Sequence, residues 1–468
     1  MRLTILGGGG FRVPLVYRAL LADHRHTGIT EVVLHDVDRN RLDGIGRVLA
    51  ALAAEVADAP AVRTTTDLDE AVAGATFVFS AIRVGGLAGR VADERVALDL
   101  GVLGQETVGA GGIAYGLRTV PEATRIADRI AALAPDAWLI NFTNPAGLIT
   151  EAMAARLGDR VIGICDSPSG LVDRVLRTLG ADPARVRVDY AGLNHLGWLY
   201  GVHDLEPGLP GAPRASSVPA GPGVHDADGG RDLLAGLLAD DGLLLGIEEG
   251  RLFGPDLLRT LGAIPNEYLH YYYDPAGTFA AVRDAPQTRG AFLRDQQERC
   301  YTALRDQEPL TAWLAAWRER EATYMAENRE LTGAGEREHD ESRPAGYEGV
   351  ALAVMRALAR DEPATLILNV RNRGTLAALD DDAVVEVPCV VDARGATPLP
   401  VAPLPAHGVP LVRAVKSTER AILEAATTGS RAAALRAMTT HPLIDDAALA
   451  ERLLSGYQTA LPSLSYLH

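Results

Sequence analysis

Five segments of this 468-residue chain combine residue types that do chemistry. They are Arg83-Val-Gly-Gly-Leu-Ala-Gly-Arg90, Asn141-Phe-Thr-Asn144-Pro-Ala-Gly147, Gly163-Ile-Cys165-Asp166-Ser-Pro168, Gly192-Leu-Asn194-His195-Leu-Gly-Trp198 and Ile264-Pro-Asn-Glu-Tyr268-Leu-His-Tyr271-Tyr272-Tyr273. A thiolate and a neutral imidazole are both donors to a transition metal, so Cys165 and His195 could form a centre with positions open to substrate oxygens. Taken singly, each residue has an ordinary explanation. A strand-end cysteine is usually a small buried hydrophobe, a lone histidine a satisfied core residue, and a tyrosine run packing with its hydroxyls at solvent. Arginine is usually a solvated charge, yet its fork also suits bidentate contact with phosphate.

A second constellation lies at the start of the chain. The apolar run Arg2 to Leu6 leads into Gly7, Gly8, Gly9 and Gly10 and then a helical pattern from Val13 to Leu21. Glycines in such a turn let the backbone approach a pyrophosphate, and the helix N-terminus adds N–H donors. Asp36 ends the next strand candidate, Glu31 to His35, where an acid accepts hydrogen bonds from a ribose. An acid there favours NAD over NADP, although Arg39 and Arg41 stand close by.

These residues need elements to position them. Further strand candidates are Thr76 to Ile82, Ala137 to Asn141 and Val161 to Cys165, with helical patterns at Arg41 to Val56, Val120 to Leu133 and Ala146 to Leu157. The alternation predicts an α/β fold, a Rossmann-type doubly wound parallel sheet over residues 1–165. A mixed α+β second domain, residues 166–468, follows, for a lactate/malate dehydrogenase-like architecture. In it, helices dominate from Arg231 to about Arg360, strands alternate at Thr365 to Val370, Val384 to Val391 and Thr397 to Val401, and a helical region runs from Ala414 to Leu454. The Gly/Pro-rich residues 205–230 read as an exposed insertion.

Composition narrows the function. The 45 Lys plus Arg against 61 Asp plus Glu give a formal charge of −16, which repels nucleic-acid phosphates and anionic lipid. No apolar run approaches the length of a spanning helix, and no signal-peptide pattern opens the chain. Three scattered cysteines, Cys165, Cys300 and Cys389, are too few for a disulfide framework and suit a reducing, cytoplasmic setting. Lys416 is the only lysine.

The order GGGG, RVGG with a following arginine, GQETVGAGGIAYGLRT, NFTNPAG, GICDSP, GLNHLGW and IPNEYLHYYY resembles the family 4 glycoside hydrolases. The likeness is closest to their 6-phospho-β-glucosidase members and runs through the late stretch Asp380 to Pro388. It implies a hydrolase with an internal redox cycle, outside the two-carboxylate scheme. Bound NAD takes hydride from C3 of the sugar, a divalent metal, usually Mn²⁺, polarises the ketone, and a tyrosine removes the C2 proton. The aglycone leaves, water adds, and the hydride returns.

Carried over by motif, the resemblance implies Cys165 and His195 as metal ligands. Tyr268 is then the base, with Tyr271 and Tyr272 one turn away as alternatives. Arg90, Asn144, Asn194 and Arg289 would be substrate contacts. Asp166 stands where β-type members often carry Asn, and in α-type members an aspartate there acts as the acid, so the anomer is open. The implied partner is a small phosphorylated glycoside, and the implied assembly a homodimer or homotetramer. A family 4 enzyme acting on α-glycosides or unphosphorylated sugars is the nearest alternative. From another class, the alternative is a net hydroxy-acid dehydrogenase, which would accumulate NADH.

Overall fold

Short strands bounded by turn signals build the first half of the sheet, as the alternation predicts. In the computed structural model, which describes residues 1–205, 231–323, 346–444 and 446–468, six strands form its sheet. These are β1 (Arg2–Leu6), β2 (Glu31–His35), β3 (Ala61–Thr65), β4 (Phe77–Ser80), β5 (Trp138–Asn141) and β6 (Val161–Gly163). They are all parallel, in the order β3-β2-β1-β4-β5-β6. β4 is buried along its whole length, as expected of a strand with helices on both faces. The chain order reverses between β1 and β4, the switch point where open α/β sheets bind ligands.

Seven more strands extend the same sheet: β7 (Val186–Leu193), β8 (Leu196–Asp204), β9 (Arg231–Asp232), β10 (Ile264–Pro265), β11 (Ala364–Arg371), β12 (Val384–Asp392) and β13 (Gly395–Pro398). Antiparallel pairing carries the order onward as β6-β11-β12-β7-β8-β10. One row of paired residues, Gly163, Asn369, Glu386 and Gly192, crosses the junction. Cys165 lies two residues beyond Gly163 and His195 three beyond Gly192, so this row sets the spacing of the candidate metal pair.

Helices from the second half pack back over the glycine turn. Tyr301 donates its hydroxyl to the Gly9 carbonyl at 2.5 Å, the Trp313 indole donates to Phe11 O at 2.8 Å, and Tyr347 donates to Arg12 O at 2.9 Å. Three backbone acceptors of one loop are thereby satisfied by side chains roughly 300 residues away in sequence.

The structure departs from the sequence reading in several elements. Helix Gly86–Asp99 and strand β3 were not anticipated, and the final helical region is three helices, Gly408–Thr428, Arg431–Thr440 and Ala447–Ala460. The helix expected from Val120 begins at Gly109 and keeps Pro121 inside it. Its glycines suit close packing: a Cβ on Gly111 would stand 2.2 Å from Gln105 O. Pro121 lacks the N–H that would bond the Leu117 carbonyl, and Tyr466 OH donates to that carbonyl instead, at 2.7 Å. The proposed insertion lies, apart from Leu205, outside the described residues. Lys416, 3% exposed in helix Gly408–Thr428, places Nζ 2.9 Å from Glu151 and also pairs with Glu419. No helix among the described residues is long and apolar enough to cross a membrane.

Candidate active site

The glycine turn is built for close approach. Gly7 has φ +81°, and a Cβ there would lie 2.6 Å from the Ala81 carbonyl, so only glycine fits between β1 and the end of β4. Gly8 N–H donates to His35 O at 2.7 Å and Gly9 N–H to Asp36 Oδ2 at 3.0 Å. Asp36 also accepts from Asp38 N–H at 3.1 Å, which orients its carboxylate beside the turn. Helix Val13–Thr27 starts three residues after Gly10, with Arg12 at its N-cap and Pro14 in its first turn. This is a fitting cradle for a dinucleotide pyrophosphate and ribose.

A cleft of about 2240 Å³ runs from this turn into the second half of the molecule. Gly7, Gly10, Asp36, Arg90, Asn144, Cys165, Asp166, His195, Tyr268, Tyr271 and Arg289 all line it. Asn194 does not; its amide donates to Glu386 Oε1 at 3.0 Å. Tyr272 is likewise absent from the lining, and its hydroxyl meets His441 Nε2 at 3.4 Å.

His195 occupies the tip of the β7–β8 hairpin with φ +62°, a left-handed conformation uncommon outside glycine and suggestive of a functional constraint. Its Nδ1 pairs with Thr107 Oγ1 at 3.0 Å, which leaves Nε2 as the nitrogen for a ligand. Burial pushes its pKa down to about 4, so the ring is neutral at physiological pH, the form that binds metals. Tyr268 stacks on it with ring centroids 3.6 Å apart and planes 2° from parallel. Cys165, two residues past the end of β6, is 4% exposed, and burial raises its thiol pKa well above the ordinary range, helped by the carboxylates of Glu386 and Asp166. Among the described residues no three His, Cys, Asp or Glu side chains assemble as a metal-binding group. Cys165 and His195 are suitable donors that would need oxygens from outside the protein to complete a shell.

Asn144, Arg90 and Arg289 line the same cleft. Asn144 Oδ1 is buried without a hydrogen-bond partner among the described residues. Arg90 donates Nε to Glu94 at 2.8 Å and Nη1 to Glu106 at 2.7 Å, and Arg83 donates to Glu106 at 2.5 Å. Between these two arginines the Glu106 carboxyl is held down to about 2 despite its burial. Arg289 bonds Thr323 Oγ1 at 2.8 Å and the Arg320 carbonyl at 3.2 Å. Asp166 faces the Arg12 guanidinium at 3.6 Å, and Arg12 lies over the Tyr347 ring, 4.1 Å from its centroid.

Sequence reasoning missed Arg12, Thr107, Glu106, Arg320 and Glu386 as neighbours of the site. Glu106 and Thr107 stand in the GQET motif and could have been singled out there. Glu386 lies within the Asp380 to Pro388 stretch that the resemblance covers, yet nothing in its strand pattern singles it out.

Comparison with known proteins then fixes the family. The family 4 glycosyl hydrolase model matches residues 2–181, and the model of that family's C-terminal domain matches residues 190–444. The chain belongs to the family 4 glycosyl hydrolases. As a family 4 enzyme it is a glycoside hydrolase, in keeping with the resemblance in the motifs. A probable 6-phospho-beta-glucosidase of Bacillus subtilis is 31% identical over 97% of this chain and 95% of its own. Among solved structures, the 6-phospho-beta glucosidase of Thermotoga maritima with manganese, NAD+ and glucose-6-phosphate superposes with a TM-score of 0.80. It is 25% identical, with 100% of both chains covered. A 6-phospho-alpha-glucosidase from gut microorganisms in complex with NAD and Mn2+ gives 0.77 at 27% identity, covering 98% of this chain and 97% of its own. Family 4 relatives of both anomeric names thus match this chain along nearly all its length.

Proposed function

We propose that this protein hydrolyses 6-phospho-β-glucosides with NAD and a divalent metal, Mn²⁺ by preference. The observation that carries the reading is the stack of Tyr268 on His195 within the cleft that Cys165 and the glycine turn also line. When bound, NAD and the metal supply reversible hydride abstraction and Lewis-acid polarisation of a carbonyl. The chain's own residues do the rest. Cys165 and the neutral His195 ring hold the cation, and Thr107 fixes which ring nitrogen is offered. Tyr268 takes the C2 proton at its hydroxyl. Asn144 Oδ1 accepts from a sugar hydroxyl, and the arginines of the cleft receive the phosphate.

Asp166 favours a second reading, the α-anomer, because an acid beside the candidate metal pair can protonate a leaving oxygen. Chromogenic 6-phospho-glucosides of both anomers, with NAD, Mn²⁺ and thiol, separate the two. Faster aglycone release from the β-substrate without net NADH is expected. Release from the α-substrate alone, abolished in Asp166→Asn, would transfer the proposal to that anomer. NADH accumulating with substrate, or no release from either, would end it.

A further inference from the structure

The cleft holds more positive charge than its carboxylates neutralise. Arg83 and Arg90 are committed to Glu106 and Glu94, and Arg12 faces Asp166. Arg320 is different. It ends helix Pro309–Ala322, lines the same cleft, and makes no side-chain hydrogen bond or ion pair among the described residues. Its nearest charges are largely of its own sign: Arg12, Arg289 and Arg90 crowd it, while Glu321 and Glu106, the latter already paired with Arg83 and Arg90, act the other way. Together with burial, that crowding pulls its pKa down to about 9. An unpaired guanidinium held among three others is costly unless an anion arrives to bridge them. Among the described residues no acidic side chain forms an ion pair with it, in a protein whose formal charge is −16.

We infer that Arg320 is the specificity-determining residue for the substrate's phosphate, selecting the dianion and rejecting the free sugar. This rests on the proposed 6-phospho-glucosidase activity and adds to it a residue that no motif pointed to. The alternative anion is the cofactor's pyrophosphate. Arg90 and Arg289, which line the same cleft and repel the Arg320 charge, are the arginines that the family resemblance assigns to substrate, whereas the glycine turn and the start of helix Val13–Thr27 already offer N–H donors to a dinucleotide. A phosphate monoester has a second pKa near 6, so recognition of the dianion weakens below about pH 6.

The test compares wild type with Arg320→Met and Arg320→Lys. Titration of the NAD-free protein with glucose 6-phosphate, and separately with glucose, reads binding without turnover. Arg320→Met should weaken glucose 6-phosphate by about 10- to 100-fold, the range of a lost charge-assisted contact. Glucose affinity, NAD affinity and melting temperature should be unchanged. Arg320→Lys should restore part of the loss. In turnover the loss should fall on KM with kcat nearly constant, and the rise of wild-type KM below pH 6 should flatten in Arg320→Met. Unchanged glucose 6-phosphate affinity in a folded Arg320→Met protein would overturn the inference, as would a loss confined to NAD. Wild type that turns over no phosphorylated glycoside, yet binds glucose 6-phosphate through Arg320, would leave this inference standing and remove the activity instead.

Discussion

Replacing His195 with Asn, or Cys165 with Ala, is expected to lower kcat of the metal-loaded enzyme by about 10³-fold or more, with melting temperature changed by only a few degrees. The substitutions are chosen to separate chemistry from folding. Asn tolerates the left-handed backbone that His195 adopts at φ +62° better than Ala does, and its amide can still meet Thr107. Cys165→Ala deletes one heavy atom from a buried position, a loss of about 1 kcal/mol. Stopped assays with NAD and Mn²⁺ give kcat, and electron paramagnetic resonance titration of Mn²⁺ gives metal affinity. Both variants should lose metal affinity and turnover together. A variant that keeps full turnover would remove its residue from the metal centre.

The second large effect concerns Glu386, fully buried in the row of residues that joins the two parts of the sheet. Tyr190 OH, Asn194 Nδ2 and Asn369 Nδ2 each donate to its carboxyl at 3.0 Å. Burial nevertheless dominates and raises its pKa from 4.5 to about 7. The folded protein therefore holds a proton that the unfolded chain has lost between about pH 4.5 and 7, and stability falls as pH rises through that window. Above pH 7 the ionised carboxylate costs about 3 kcal/mol relative to its protonated form. Glu386→Gln keeps the Oε1 acceptor for both asparagines and has no proton to lose. In the metal-free protein, melting temperature followed from pH 5 to 8 should fall by several degrees more in wild type than in Glu386→Gln. The variant should be the more stable of the two at pH 8. Parallel curves would show that Glu386 is ionised throughout and held by its three donors.

The parallel half of the fold was legible because its determinants are local. Apolar strands, the four glycines and Asp36 all announce themselves within a few residues. Strands β1 and β2 and helix Ala146–Leu157 occur where their patterns predicted. What stayed hidden depends on partners far away in sequence. The start of helix Gly109–Leu133 is written in glycines and contains Pro121, which argue against a helix by propensity. Contacts with the 105–107 loop and with Tyr466 override that argument. Of the proposed substrate residues, Arg90, Asn144 and Arg289 line the cleft, while Asn194 turns to Glu386, which lies 192 residues on. Arg320 was invisible for the same reason: its meaning comes from three arginines on other segments.

Lys416 gives the molecule an unusual chemical property. The chain's other cationic side chains at neutral pH are arginines, which do not react with common acylating reagents, and this one amine is enclosed with Glu151 and Glu419 at the packing of helix Gly408–Thr428. An amine-directed label therefore finds no lysine side chain on the native surface. Acylation of Lys416 becomes a clock for the opening of the C-terminal helices, read by mass at a single site. Its rate relative to loss of the active cleft would tell whether the two come apart together.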